Sequence, residues 1–129
     1  MKKTFSILLR LLAAVIMLQT LYFKFTGAPE SVYIFTQAGI EPWGRIGTGV
    51  AELIASLLLL VPATVAVGAV MALGLMFGAV ATHLFILGVE VQGDGGQLFV
   101  YALIVLTSSL ILLFLHRDQL VSYRKMILG

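Results

Sequence analysis

Four ionisable side chains, Arg10, Lys24, Glu52 and His83, stand inside apolar stretches, and Tyr101 lies in a further one. Glu52 is the most constrained of them. It sits near the middle of Gly44 to Val61, GRIGTGVAELIASLLLLV, a run long enough to cross a bilayer. A charge held there costs about 2.5–3.5 kcal/mol unless it is protonated or paired. Arg10 and Lys24 are the cations that could pair with it. At helical spacing Arg45, Gly49, Glu52 and Ser56 share one face, so Glu52 is expected to face protein rather than lipid. A carboxyl and an imidazole are also groups that hold or move protons and grip a polar head group, which makes Glu52 and His83 the candidate proton-handling residues. Other chemistry is poorly supplied. His83 has no second histidine or spaced carboxylate on its face, so no metal site is expected. Thr107 and Ser108 have no adjacent base to activate them. His116, beside Arg117, reads as an interfacial residue.

These side chains must be positioned by membrane-spanning helices. Of the 129 residues 60% are hydrophobic and only 11% charged, against about 25% charged in an average soluble domain. Mean hydropathy is +1.09. The net charge of +2 comes from a few residues at segment ends, which suits topology signalling and not nucleic-acid binding. There is no cysteine, hence no disulfide, thiol pair or thiolate metal site.

The expected fold is all-α: one transmembrane domain over residues 1–129, an antiparallel bundle of four spans at about 5–25, 44–61, 65–87 and 98–115. Lys2 and Lys3 precede an apolar run as in a signal peptide, but Arg10 interrupts it and no A-x-A cleavage site follows, so the segment reads as a retained first span. Tyr22, Phe23 and Phe25 close that span with an interfacial aromatic cluster, from which Lys24 is expected to snorkel toward headgroups. Pro29 opens a short interfacial helix ending at Gly39, and Pro42 and Trp43 start the Glu52 span. The link from Pro62 to Thr64 is short enough to force the third span back antiparallel. That span carries Gly74 and Gly78, a GxxxG pair of the kind that brings helices together. The polar turn GVEVQGDGGQ leads to the fourth span, and residues from Asp118 form a short amphipathic tail helix.

Six of the eight basic residues, Lys2, Lys3, Arg10, Arg117, Arg124 and Lys125, fall on one side of this arrangement, which places both termini in the cytoplasm. Counting helical rise, Glu52 lies roughly 12 Å from the outer end of its span, and His83 and Tyr101 roughly 6 Å from theirs. A polar pocket in the outer half follows, with Lys24, Arg45 and Gln97 at its rim and Met, Phe and Leu in its walls. Met76 and Phe77 are expected to flank the tail of its ligand.

The segments LLRLLAAVIMLQTLYFKFTG, GVAELIASLLLLVP and GAVATHLFILG, with Arg10, Lys24, Glu52 and His83 in that order, resemble the DoxX family of small four-helix bacterial membrane proteins. The resemblance covers about Phe5 to Leu115. It implies a four-helix bundle in the bacterial plasma membrane and a link to quinone-coupled sulfur oxidation and redox complexes. Two functions are then open. One is a small integral subunit of a quinone-linked redox system, holding a quinone-like or lipid-like ligand at Glu52, His83, Tyr101, Arg10 and Lys24. The other is a non-enzymatic scaffold or binding protein whose buried charges fix helix pairing. Membrane lipid, a redox-complex protein and a second copy of the chain are the partner classes; enzymatic activity of the chain itself is left open.

Overall fold

Leucine, alanine and valine fill four stretches of this chain, and each forms a helix whose length matches the roughly 30 Å of a bilayer's hydrocarbon core. The computed structural model describes residues 2–128. Its α-helices are α1 (Lys2–Thr26), α2 (Pro29–Gln37), α3 (Trp43–Leu60), α4 (Val65–Thr82), α5 (Gln97–Leu115) and α6 (Arg117–Leu128). A 3-10 turn, Pro62–Thr64, joins α3 to α4, and a π turn, His83–Leu87, extends α4. There is no strand among the described residues. The helices α1, α3, α5, and α4 with its flanking turns, are long and apolar enough to cross a membrane. Their outward faces carry large apolar groups such as Leu8, Val15, Phe77, Leu110 and Phe114. Such a belt is unfavourable in water and ordinary against lipid.

The four long helices close into a ring in which α1 packs on α3, α3 on α4, α4 on α5, and α5 back on α1. Small residues make this approach close. Ala13, Ala55, Ala69, Ala72 and Ala102 are buried at the centre, with Met17, Leu59, Val65, Val105 and Leu112 filling between them. At Gly68, a Cβ would lie 2.8 Å from the Leu59 backbone nitrogen and 3.1 Å from the Ala55 carbonyl oxygen. Here the absence of a side chain sets the spacing of α3 and α4. Gly74 and Gly78 behave differently: a Cβ at either would meet nothing within 4 Å. The GxxxG pair therefore joins no helices within this chain, contrary to the expectation from sequence.

The end of the bundle that carries both termini is tied by polar contacts. Arg10 reaches across to the last turn of α3, donating from Nε to the Leu59 carbonyl at 2.6 Å and from Nη2 to the Leu60 carbonyl at 3.0 Å. Those carbonyls have no partner within the helix, because Pro62 stops it, and their partial negative charge favours a cation. The helix α6 folds against the α3–α4 turn. Gln119 donates to the Pro62 carbonyl at 2.8 Å and accepts from the Ala66 amide at 2.9 Å, while Tyr123 donates to the Ala63 carbonyl. At the α5–α6 junction His116 Nε2 lies 2.7 Å from Ser6 Oγ. Partial burial, then the charges of Arg10 and Lys2, hold the His116 imidazole below its ordinary pKa.

Candidate ligand cavity

The opposite end of the bundle, between the α1–α3 and α4–α5 connections, is less completely filled. The helix α3 turns Gly49, Glu52, Ala55, Ser56 and Leu59 inward, the face its spacing predicts. Glu52 is only 3% exposed. Lys24, from the last turns of α1, folds inward and places Nζ 2.8 Å from Glu52 Oε1. Lys24 thus does not snorkel to a headgroup layer. The carboxylate offers more than water does at that depth, since an unpaired buried charge is far more costly than a bent side chain. Thr20, one turn earlier on α1, accepts a hydrogen bond from the same ammonium at 3.2 Å and donates its own hydroxyl to the Met17 carbonyl. Oε1 of Glu52 has no aligned hydrogen bond, so its contact with Lys24 is one of charge.

Arg10 is not part of this group. Its guanidinium is committed to the end of α3, and it does not line the cavity. Arg45 is likewise withdrawn. It pairs with Glu41 at 2.8 Å and donates to the Lys24 carbonyl, clamping the start of α3 onto the end of α1.

Beside the ion pair lies a cavity of about 620 Å³, in the range of small-molecule sites. Glu52, Lys24, His83, Tyr101 and Gln97 all line it. Its apolar surface comes from groups such as Ile16, Met17, Leu75, Met76 and Leu98, and α2 contributes Ser31, Ile34 and Phe35. Phe77 is 70% exposed on the outer surface of α4 and does not reach the cavity. Gly74 and Gly78 line it instead; both are exposed at its margin, and a Cβ at either would meet nothing within 4 Å. That role is visible only once the neighbouring helices are in place.

The π turn aims His83. Its first residue is His83, and the Gly88 amide donates to the His83 carbonyl, closing a wider ring than an α-turn. Such π turns recur at functional sites because they redirect one side chain without breaking the helix. Gly88, at φ +83°, ends it. The imidazole is 5% exposed, packs edge-on against Phe99 with ring centres 5.4 Å apart, and lies with Nδ1 3.0 Å from the Gly88 carbonyl oxygen. Gln97 donates to the Tyr101 hydroxyl at 3.0 Å.

Asp94 holds the following turn in place. Oδ1 accepts from the amides of Val91 at 3.0 Å and Gly96 at 2.8 Å, and Oδ2 accepts from Leu98 at 3.2 Å, capping α5. Partial desolvation raises the Asp94 pKa, but the hydrogen bonds from these three amides outweigh it and leave the carboxyl below its ordinary value. An aspartate just ahead of an apolar helical run is a recognisable cap signal. Thr20 and Phe99 carried no such signal, because their roles depend on which helix lies opposite.

The model of the DoxX-like family matches residues 8–110, most of the chain and every residue of the Lys24, Glu52, His83 and Tyr101 group. The chain belongs to the DoxX-like family. This membership and the four apolar helices make it a multi-pass helical membrane protein. No curated protein and no solved structure matches it.

Proposed function

We propose that this DoxX-like protein is a small membrane-embedded subunit that binds a quinone-like or lipid-like amphiphile within its bundle, as part of a quinone-linked redox system. The observation that carries the binding reading is the cavity of about 620 Å³, apolar over most of its wall, with Lys24, Glu52, His83 and Tyr101 gathered on it. An amphiphile matches that division: a polar head meets the ionisable groups and an apolar tail lies along Met76, Leu75 and Ile16. The link to redox chemistry is supported by family resemblance. In this reading the protein resides in a bacterial plasma membrane with both termini cytoplasmic, and the cavity lies in the outer half.

A second reading, a scaffold without a ligand, is favoured by the Lys24–Glu52 contact, which by itself would fix α1 against α3. The two readings separate at Gly78. Gly78 lines the cavity and a Cβ there would meet nothing within 4 Å, so Gly78→Leu sets an apolar side chain at the cavity wall without removing a charged group, and replacing a helical glycine favours the helix by about 0.5–1 kcal/mol. Native mass spectrometry of detergent-purified protein is expected to show a stoichiometric quinone or lipid adduct. Gly78→Leu is expected to lose that adduct while melting at or above the wild-type temperature. An adduct retained in the filled variant, or none in the wild type, would sink the ligand reading and leave the scaffold.

A further inference from the structure

The hydrogen-bonding roles on the cavity wall constrain the ligand's head group. At His83, the neighbour of Nδ1 is a carbonyl oxygen, which can only accept. Nδ1 therefore carries the hydrogen, and in the neutral ring Nε2 is left as an acceptor. Nε2 has no hydrogen-bond partner among the described residues, although the ring is 5% exposed and lines the cavity. Its orientation is held from two sides, by Gly88 and by the Phe99 ring. Glu52 adds a second acceptor to the wall. Donors are present too: the Tyr101 hydroxyl already accepts from Gln97 and so has its own hydrogen free to give, and the Lys24 ammonium has three hydrogens to distribute.

A head group bearing only carbonyl or ether oxygens could answer the donors but would leave His83 Nε2 dry, since Glu52 already has Lys24. A hydroxyl donates and accepts through one atom. We infer that the cavity selects a ligand whose head carries a free hydroxyl, of the phenol or hydroquinone class, with His83 Nε2 accepting its O–H hydrogen. This rests on the proposed function and sharpens it: the ligand is held in its hydroxyl form in preference to the carbonyl form of the same ring. His83 is then a specificity-determining residue, chosen by tautomer.

The test compares three probes with one tail: a decyl benzohydroquinone, the corresponding benzoquinone, and the dimethyl ether of the hydroquinone, titrated into the purified protein under reducing conditions for the first. The hydroquinone is expected to bind about 3- to 10-fold more tightly than either of the others, the span a single net hydrogen bond supplies. His83→Phe keeps an aromatic ring against Phe99 and removes the acceptor; it should erase that preference and leave the affinity for the dimethyl ether in place. In histidine labelled with nitrogen-15, the His83 Nε2 resonance should move on adding the hydroquinone and stay still with the ether. Equal binding of the three probes by the wild type, tighter binding of the quinone, or a preference that survives His83→Phe would overturn the inference while leaving an amphiphile site intact. Absence of binding by all three would overturn both.

Discussion

Lys24 and Glu52 form an ion pair in which both partners are largely removed from solvent, with side-chain exposures of 16% and 4%. Breaking one side of such a pair leaves an uncompensated charge, a loss of about 3–5 kcal/mol. Glu52→Ala is therefore expected to lower the melting temperature in detergent sharply, and Glu52→Gln less, because an amide keeps the shape of the side chain and a polar oxygen beside Lys24. The double variant with Lys24→Leu should recover most of the loss, since the stranded ammonium is gone. Arg10→Leu in the same background should recover nothing, because Arg10 serves the Leu59 and Leu60 carbonyls. Rescue by Arg10→Leu alone would contradict the pairing. Arg10 and Lys24, equivalent in charge, thus do separate work: one closes the end of a helix and the other neutralises a carboxylate beside a cavity.

At the scale of elements, three glycines on one helix have opposite consequences. Gly68 brings α4 onto α3, whereas Gly74 and Gly78 hold nothing together and leave room. Gly68→Ala would drive a methyl group into backbone atoms, which unlike a side-chain tip cannot swing aside. It is expected to destabilise the bundle by about 1–3 kcal/mol, the usual range for overpacking, despite alanine's better helix propensity. Gly74→Ala should be neutral or stabilising. Thermal unfolding of the two variants in the same detergent checks the contrast; equal effects would mean that α3 and α4 are not in this register.

For the whole molecule, the even number of spans puts both termini at one end, bound together through Ser6, His116 and the docked α6, and the cavity at the other. The proposed orientation places the cavity end outside. Since the chain has no cysteine, single cysteines report topology cleanly. Cysteines replacing Glu30 and Glu90 should react in intact cells with a membrane-impermeant thiol reagent, and cysteines replacing Lys2 and Arg124 only after the membrane is opened. Each of these four positions is exposed, and none is a cap or an ion-pair partner. The reverse labelling pattern would invert the orientation and face the cavity to the cytoplasm.

The spans, the antiparallel order of α3 and α4, and the inward face of α3 were legible in the sequence, because each follows from local period, hydropathy and chain length. Glu52 stood out for the same reason: a carboxylate in an apolar run demands a partner wherever the run is placed. The identity of that partner was not legible. Arg10 and Lys24 lie on the same face of α1, and only the register of α1 against α3 decides that Lys24 meets Glu52 while Arg10 reaches the helix end. Register also decided the glycines, since a missing side chain is a contact or a void according to what stands opposite. The π turn at His83 and the tautomer it imposes depended on Gly88 and Phe99 arriving together, a three-body arrangement that no periodicity in one strand of sequence encodes.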